Sequence, residues 1–266
     1  MATARPPATS YPSPEDYRPP RRLTKADHAL IRIPTRSWEE VQQRVSRLWQ
    51  PEFAPHHSIL GQNGAGKSYL IVNGLLPLCL RDNVLLLDSK GDDPVLNASG
   101  AKPVVRVPAR WRRAMDNNDD RDSWYRLKIY DNVAQAQDQV GRALETVYSE
   151  GEWIVVLDET RAISDPRSPG LGLQPLLDRM WLRGRSRKIC VVASTQAPRW
   201  VPTSFYDQCQ FVWSSRIRDE RAHQRIMEIG SMTRAHIPHI ASVRKRRWIY
   251  MDDEEAETWV AETGLS

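Results

Sequence analysis

The chain has 266 residues, 40% of them hydrophobic and 27% charged, with a formal net charge of +5. That length suits one large α/β domain with appendages better than two independent cores, and the positive balance fits an anionic partner without saying anything about fold. Cys79, Cys190 and Cys209 show no C-x-x-C spacing, which excludes a zinc ribbon or a disulfide scaffold and points to a reducing, cytoplasmic setting.

Residues 1–30 read as a disordered tail. Six of the first twenty are proline (Pro6, Pro7, Pro12, Pro14, Pro19, Pro20), a density that suits neither helix nor sheet. The tail ends in Arg18, Arg21, Arg22 and Lys25, so it is either a solvated leader or a tether for nucleic acid or a neighbouring subunit. Residues 31–55 form a helical segment, where Ser37 followed by Glu40 makes a capping box for a helix through Val41, Val45, Leu48 and Trp49. The first residues lack the apolar core of a signal peptide, and the longest apolar stretch, 70–80, is interrupted by Asn73, Gly74 and Pro77. No intrinsic membrane segment is expected.

From residue 56 to 216 strand and helix patterns alternate. Strands are expected at 56–60, 83–88, 104–107, 153–157, 189–194 and 210–214, and helices at 67–80, 134–149 and 173–182. Near-continuous apolar strands separated by helices imply an α/β fold with a mostly parallel sheet covered on both faces. Residues 217–266 read as an extension packed on that core, with a helix at 218–228, a strand at 248–251 and a short acidic helix from Glu254. No internal repeat is present.

The most specific motif is Gly61-Gln62-Asn63-Gly64-Ala65-Gly66-Lys67-Ser68, which fits G-x-x-x-x-G-K-[ST] and lies between an apolar run and a helix beginning with Tyr69 and Leu70. Residues without a Cβ let the backbone fold around a phosphate, and the helix N-terminus adds its positive end. Lys67 would reach the β- and γ-phosphates of ATP, and the Ser68 hydroxyl would hold Mg²⁺. Downstream, Trp153-Ile154-Val155-Val156-Leu157-Asp158-Glu159 is a buried strand ending in two carboxylates, a Walker B pattern. Asp158 would hold the metal, and Glu159 would orient and deprotonate the attacking water.

The strand at 189–194 runs into Thr195-Gln196-Ala197-Pro198, where Gln196 between the two motifs would sense the γ-phosphate or position water, or the stretch is an ordinary exit from strand to loop. Upstream of it, Arg183, Arg185, Arg187 and Lys188 are too many cations for one site; in a ring, Arg185 first and Arg183 second would serve as a finger reaching the neighbouring subunit, or the run is a solvated helix end. Leu85-Leu86-Leu87-Asp88-Ser89-Lys90-Gly91-Asp92-Asp93 ends a strand at the same edge of the sheet, as a further site candidate or a plain turn. Arg106, Arg110, Arg112 and Arg113 around Trp111, and Arg244-Lys245-Arg246-Arg247, are basic clusters that are either solvated surface or a contact for nucleic-acid phosphates. Residues 116–122 (D-N-N-D-D-R-D) lack the glycine and closing glutamate of an EF-hand and read as a solvated loop. His236 and His239 read as packing or loop residues.

Taken in order, G-Q-N-G-A-G-K-S, L-L-L-D-S-K-G-D-D, V-V-L-D-E and G-R-S-R-K-I-C-V-V-A-S-T-Q-A-P resemble the FtsK–HerA superfamily of P-loop motors over roughly residues 56–215. The resemblance implies a RecA-like P-loop NTPase core, a hexameric ring with active sites between subunits, and double-stranded DNA threaded through it without sequence specificity. Ser89 departs from the family's D-P-K-G, and with no membrane segment or winged helix in the sequence the fit is to a compact motor, such as one carried by a phage or mobile element, that translocates or packages DNA. Two other readings stand beside it: an ATPase for protein or virion assembly or extrusion, and a nucleotide-controlled scaffold with weak turnover. An ABC ATPase is disfavoured by the absence of L-S-G-G-Q.

Overall fold

The apolar runs leave no polar side for water, so they pair with one another inside the molecule. In the computed structural model, which describes residues 33–49, 53–79, 83–111, 124–129, 132–167, 169–229, 234–244, 247–253 and 257–263, ten strands form one sheet. These are β1 (Thr35–Ser37), β2 (His57–Leu60), β3 (Asn83–Asp88), β4 (Lys102–Val104), β5 (Trp124–Lys128), β6 (Trp153–Leu157), β7 (Cys190–Thr195), β8 (Phe211–Ser214), β9 (Arg247–Asp252) and β10 (Glu257–Glu262). Their order is β1-β10-β9-β8-β2-β7-β6-β3-β5-β4. Strand β9 runs antiparallel to both its neighbours, and the other paired strands are parallel.

Both faces are covered. Val84, Leu86, Ile154, Val156, Val192, Phe211 and Trp213 belong to a core shared with Val41 and Val45 of the helix Trp38–Leu48 and with Leu70, Ile71 and Leu75 behind the P-loop. The alternate residues Leu85, Leu87, Val155, Leu157 and Ala193 are fully buried on the opposite face, as the two-residue period of a strand requires. The helix Trp38–Leu48 starts where the sequence predicts: Ser37 Oγ accepts from Glu40 N at 3.3 Å, and Ser37 N donates to Glu40 Oε2 at 2.8 Å. The helix is tied to the sheet by Arg44, whose Nε donates to buried Asp252 Oδ2 at 2.6 Å. The P-loop helix begins at Lys67–Tyr69, widens to a π-helix over Leu70–Leu75 and tightens to a 3-10 turn at Leu76–Cys79, so Pro77 sits where no i−4 donor is required of it.

The sequence reading is corrected at several places. The strand expected at 104–107 ends at Val104, and Val105 is 80% exposed. The acidic helix expected from Glu254 is, over its described residues, strand β10, because Trp259 and Ala261 alternate toward the core and both β9 and β1 offer paired edges. Strand β5 was missed because only its buried members reveal it: Arg126 and Leu127 are buried, yet one of them is a charge. Residues 1–30, 112–123 and 254–256, which carry the tail, the D-N-N-D-D-R-D loop and the start of the acidic helix, lie outside the described residues.

Two adjacent histidines are locked in the neutral form. His56 Nδ1 accepts from Val191 N at 3.0 Å, while its Nε2 lies 3.2 Å from Trp181 O; both ring nitrogens are committed. His57 Nδ1 accepts from Trp213 Nε1 at 3.2 Å, and the ring stacks on Trp49 and Phe211 with centroids 4.6 and 4.9 Å away. A second proton on either ring would point a donor at a donor. Burial, reinforced by Arg185 for His56 and by His56 for His57, lowers both pKa values to about 3. The unfolded chain, titrating near 6.5, binds protons that the fold refuses, so stability is fully present above pH 6.5 and is lost as pH falls toward 3. By pH 4.5 the loss is on the order of 2–3 kcal/mol per histidine. We expect urea unfolding midpoints to drop between pH 7.5 and 4.5, and His57→Phe to flatten that dependence by about half of the histidine contribution; superimposable pH curves for the two proteins would refute the assignment.

Candidate active site

Strands β2, β7, β6 and β3 are neighbours and run parallel, so the residues that follow their last members meet at one edge of the sheet. The P-loop leaves β2 there. Gly61 N donates to Thr195 O at 3.1 Å, and a Cβ on Gly61 would come within 2.2 Å of Ser215 Oγ, so the loop is pressed between β7 and the end of β8. Gly64 and Gly66 have φ of 72° and 88°, a left-handed backbone that a side chain would strain. Gln62, Asn63, Gly64 and Gly66 are exposed, whereas Ala65 and Tyr69 are half-buried. Lys67 and Ser68 are buried at the start of the helix. Lys67 Nζ folds back to donate to Gly61 O at 2.9 Å and Gln62 O at 3.3 Å. Burial lowers its pKa to about 8, against the opposing pull of Glu159, Asp158 and Asp93.

Strand β6 delivers the two acids. Asp158 is 1% exposed, and its Oδ1 lies 3.2 Å from Ser68 Oγ, which brings together the two sequence-predicted metal residues. Glu159 caps the short helix Thr160–Ser164 and turns its carboxylate toward the end of β7. Its Oε1 accepts from Thr195 Oγ1 at 2.8 Å, and its Oε2 accepts from Gln196 N at 3.0 Å. Burial raises the pKa of both acids above the usual range. Lys90 opposes this shift for Asp158, and Thr195, the Gln196 N–H and Lys67 oppose it for Glu159. Gln196 therefore reaches this edge first through its backbone, and Thr195, given no role from sequence, holds the acid through its side chain. The signal for it was present: a hydroxyl directly before the glutamine at the end of an apolar strand.

The turn after β3, a site candidate in the sequence, also reaches this edge. Asp88 is buried, with Oδ2 held by Arg126 Nε at 3.0 Å and Oδ1 accepting from the N–H groups of Lys90 and Gly91 at 3.1 and 2.9 Å. It therefore anchors the turn and is not open to a ligand. Asp93 caps the helix Pro94–Asn97 through Oδ1 and accepts from Ser68 Oγ through Oδ2 at 2.8 Å. Asp-Pro before a short apolar run is the sequence cue for such a cap.

Other sequence candidates fall elsewhere. Arg183 and Arg185 are exposed and precede β7, so within one chain they sit at the opposite sheet edge, about 20 Å from Thr195 for a six-residue strand. Arg185 Nη2 donates to Gln208 O at 3.3 Å. Trp111 is no surface aromatic; it is 2% exposed and packs against Tyr125 and Trp153 with centroids 5.1 and 5.8 Å away. Arg106 and Arg110 are exposed, Arg112 and Arg113 lie outside the described residues, and of the second basic run Arg244 is exposed, Arg247 pairs with Glu262, and Lys245 and Arg246 are not described. His236 is buried in a turn and His239 lies in the helix Ile237–Ser242. A cationic surface that sequence reading missed lies beside the acids: Arg161, Arg167 and Arg199 approach the ring of Trp200, which is 42% exposed, at 5.5, 5.1 and 5.1 Å.

The buried lysine is a cost that an anion would remove. A pKa held near 8 rather than 10.5 corresponds to up to about 3 kcal/mol at neutral pH, and its two hydrogen bonds return about 1 kcal/mol each. Lys67→Met should therefore melt at or above the wild-type temperature at pH 7 without nucleotide, while ATP raises the melting temperature of wild type only. A variant that melts several degrees lower by calorimetry would show that the lysine stabilises the loop.

No protein-family model matches this sequence, and no curated protein matches it. In three dimensions it is similar to the genome packaging NTPase B204 of Sulfolobus turreted icosahedral virus 2 in complex with AMPPCP, with TM-score 0.57 and 13% identity over 79% of this chain and 97% of that one. VirB4 of Thermoanaerobacter pseudethanolicus gives TM-score 0.60 at 10% identity, covering 80% of this chain and 91% of the other. The bacterial conjugative coupling protein TrwBΔN70 gives 0.54 at 12% identity, covering 89% and 94%. At such identities the likeness is one of architecture: the chain has a RecA-like P-loop NTPase fold, mostly parallel in its sheet, which it shares with these proteins.

Proposed function

We propose that this protein is an ATP-hydrolysing motor that translocates or packages double-stranded DNA as a ring-shaped oligomer, with six subunits as the family resemblance implies. The observation that carries the reading is the convergence of the P-loop, Ser68–Asp158 and the Thr195–Glu159–Gln196 contact at one sheet edge. The fold's neighbours include a viral DNA-packaging ATPase and conjugative coupling proteins, which supports the same class of work.

The residues present fit Mg²⁺ and ATP. Asp158 Oδ2 is buried and accepts no hydrogen bond, Ser68 Oγ stands beside Asp158 Oδ1, and Gly64 and Gly66 open the backbone cradle. Among the described residues no group of three or more His, Cys, Asp or Glu side chains is arranged to hold a metal, which suits an ion completed by phosphate oxygens and water. When bound, Mg²⁺ would supply charge neutralisation of the β- and γ-phosphates. Lys67 would exchange its contacts with Gly61 O and Gln62 O for phosphate oxygens. Glu159, with its pKa raised by burial, would accept a proton from the attacking water, held in aim by Thr195 and the Gln196 backbone. Gln196's side chain would sense the γ-phosphate.

For DNA, the arginines around Trp200 replace the Trp111 cluster as the favoured surface, since they lie on the segments that follow β6 and β7, a few residues from Glu159 and Gln196. Asp165 neutralises part of this charge, lying 3.4 Å from Arg161 and 2.9 Å from Arg167, and all three arginines are exposed. Purified protein should hydrolyse ATP faster with duplex DNA. Glu159→Gln should lower turnover by about 10²-fold or more while keeping nucleotide binding. Arg199→Ala combined with Trp200→Ala should keep the basal rate and lose the stimulation. Equal rates with and without DNA would count against the motor and favour an assembly or extrusion ATPase.

Arg185 and Arg183 are exposed at the edge away from their own P-loop, which suits a finger offered to an adjoining copy. In mixtures of two inactive variants, Glu159→Gln and Arg185→Ala, about a quarter of subunit contacts would pair an intact glutamate with an intact arginine. Mixing should restore activity to that order; no recovery, in rings shown to exchange subunits, would rule out a shared site built with Arg185.

A further inference from the structure

Lys90 and Asp93 face the same oxygens as Ser68 and Asp158, and the chemistry above uses neither. Lys90 Nζ lies 3.3 Å from Asp93 Oδ2, 3.3 Å from Asp158 Oδ1 and 3.2 Å from Asp158 Oδ2. Ser68 Oγ lies 2.8 Å from Asp93 Oδ2 and 3.2 Å from Asp158 Oδ1. One hydroxyl proton serves only one of these carboxylates, so the ammonium is the cation that lets both stand side by side. Even so, Asp158 Oδ2 accepts no hydrogen bond, although its residue is 1% exposed. Oxygens from a hydroxyl and two carboxylates around a single positive charge are the donor set of a hard divalent cation.

The backbone is built to hold this arrangement. Asp88, pinned by Arg126, ties down the N–H groups of Lys90 and Gly91, and Gly91 takes a φ of 74° to make the turn. Asp93 spends Oδ1 on the N–H groups of Val95 and Leu96, which aims Oδ2 at Ser68. Lys90 is 36% exposed, so its flexible stem can swing outward without disturbing the sheet.

We propose that Lys90 is a resident cation that closes the metal position in the nucleotide-free chain, that a divalent metal binding there displaces it, and that Asp93 supplies a third protein oxygen to that metal. The inference rests on the reading that Ser68 and Asp158 hold the metal. Its consequence is ordered loading: metal alone competes with a tethered ammonium, whereas a triphosphate on the P-loop gives the displaced ammonium a new anionic partner.

The test is Mn²⁺ binding to the full-length, nucleotide-free chain, followed by electron paramagnetic resonance of the free ion. Lys90→Met should bind Mn²⁺ at least about fivefold more tightly than wild type, because the competing cation is gone, and Lys90→Arg should bind as wild type. Asp93→Asn in the Lys90→Met background should weaken binding about tenfold, and Asp158→Asn should abolish it. Unchanged affinity in Lys90→Met with loss in Asp158→Asn would overturn the resident-cation proposal and leave the metal site standing. Undiminished binding by Asp158→Asn would overturn the site itself, and undiminished binding on changing Asp93 would remove it from the metal's ligands. If Lys90→Met is less stable, Mn²⁺ must raise its melting temperature more than that of wild type; an equal rise also overturns the proposal.

Discussion

Strand β7 lies between the strand that carries the P-loop and the strand that carries the acids, and the site depends on that placement. Parallel strands stand about 4.8 Å apart, so β2 and β6 are separated by about 10 Å, wide enough for phosphates. Strand β7 closes the gap with polar atoms. Its last residue accepts Gly61 N through the carbonyl and donates to Glu159 through the hydroxyl, so one threonine sets the spacing of the cradle and the base. Thr160 Oγ1 donates to Ser194 O at 2.9 Å, tying β6 to β7 from the other side.

This edge is also where the fold tolerates electrostatic strain. Lys67, Asp158 and Glu159 are all buried enough for burial to dominate their pKa shifts, each in the direction that disfavours its charge. In a structural core such groups would be replaced by apolar ones or fully paired. Here they are left poised, with a lysine bonded only to carbonyls and a carboxylate balanced by the exposed Lys90, as expected where a charged ligand completes the set. By contrast, Asp88–Arg126 and Arg44–Asp252 are buried pairs committed to one another, and they fasten the turn after β3 and the N-terminal helix.

The P-loop was legible because its geometry is local: eight consecutive residues contain the glycines, the lysine and the hydroxyl, and Gly64 and Gly66 show the backbone the spacing implies. The acid pair was legible for a related reason, since an apolar run ending in Asp158-Glu159 delivers both side chains at a strand end wherever the strand lies. Trp111 misled because a tryptophan between arginines looks like a surface stacking platform, and only the neighbours Tyr125 and Trp153 reveal it as core. Trp200 shows the converse: nothing near it in sequence announces that Arg161 and Arg167 come to its ring from another segment.

Sequence alone determined the period and polarity of the elements, hence a parallel α/β sheet with a phosphate loop and two acids at strand ends, because those properties are set within a few residues by sterics and burial. Tertiary structure decided the order of strands, and through it the partners: Thr195 with Glu159, Lys90 with Asp158, Asp93 with Ser68, and Arg126 with Asp88. These pairs join residues 25 to 68 positions apart, from Ser68 with Asp93 to Lys90 with Asp158, and spacing along a chain carries no information about which strand will lie beside which. That choice is made by the packing of whole faces, where the aromatic core around His57, Phe211 and Trp213 sets β8 against β2 and leaves β7 to fill the other side.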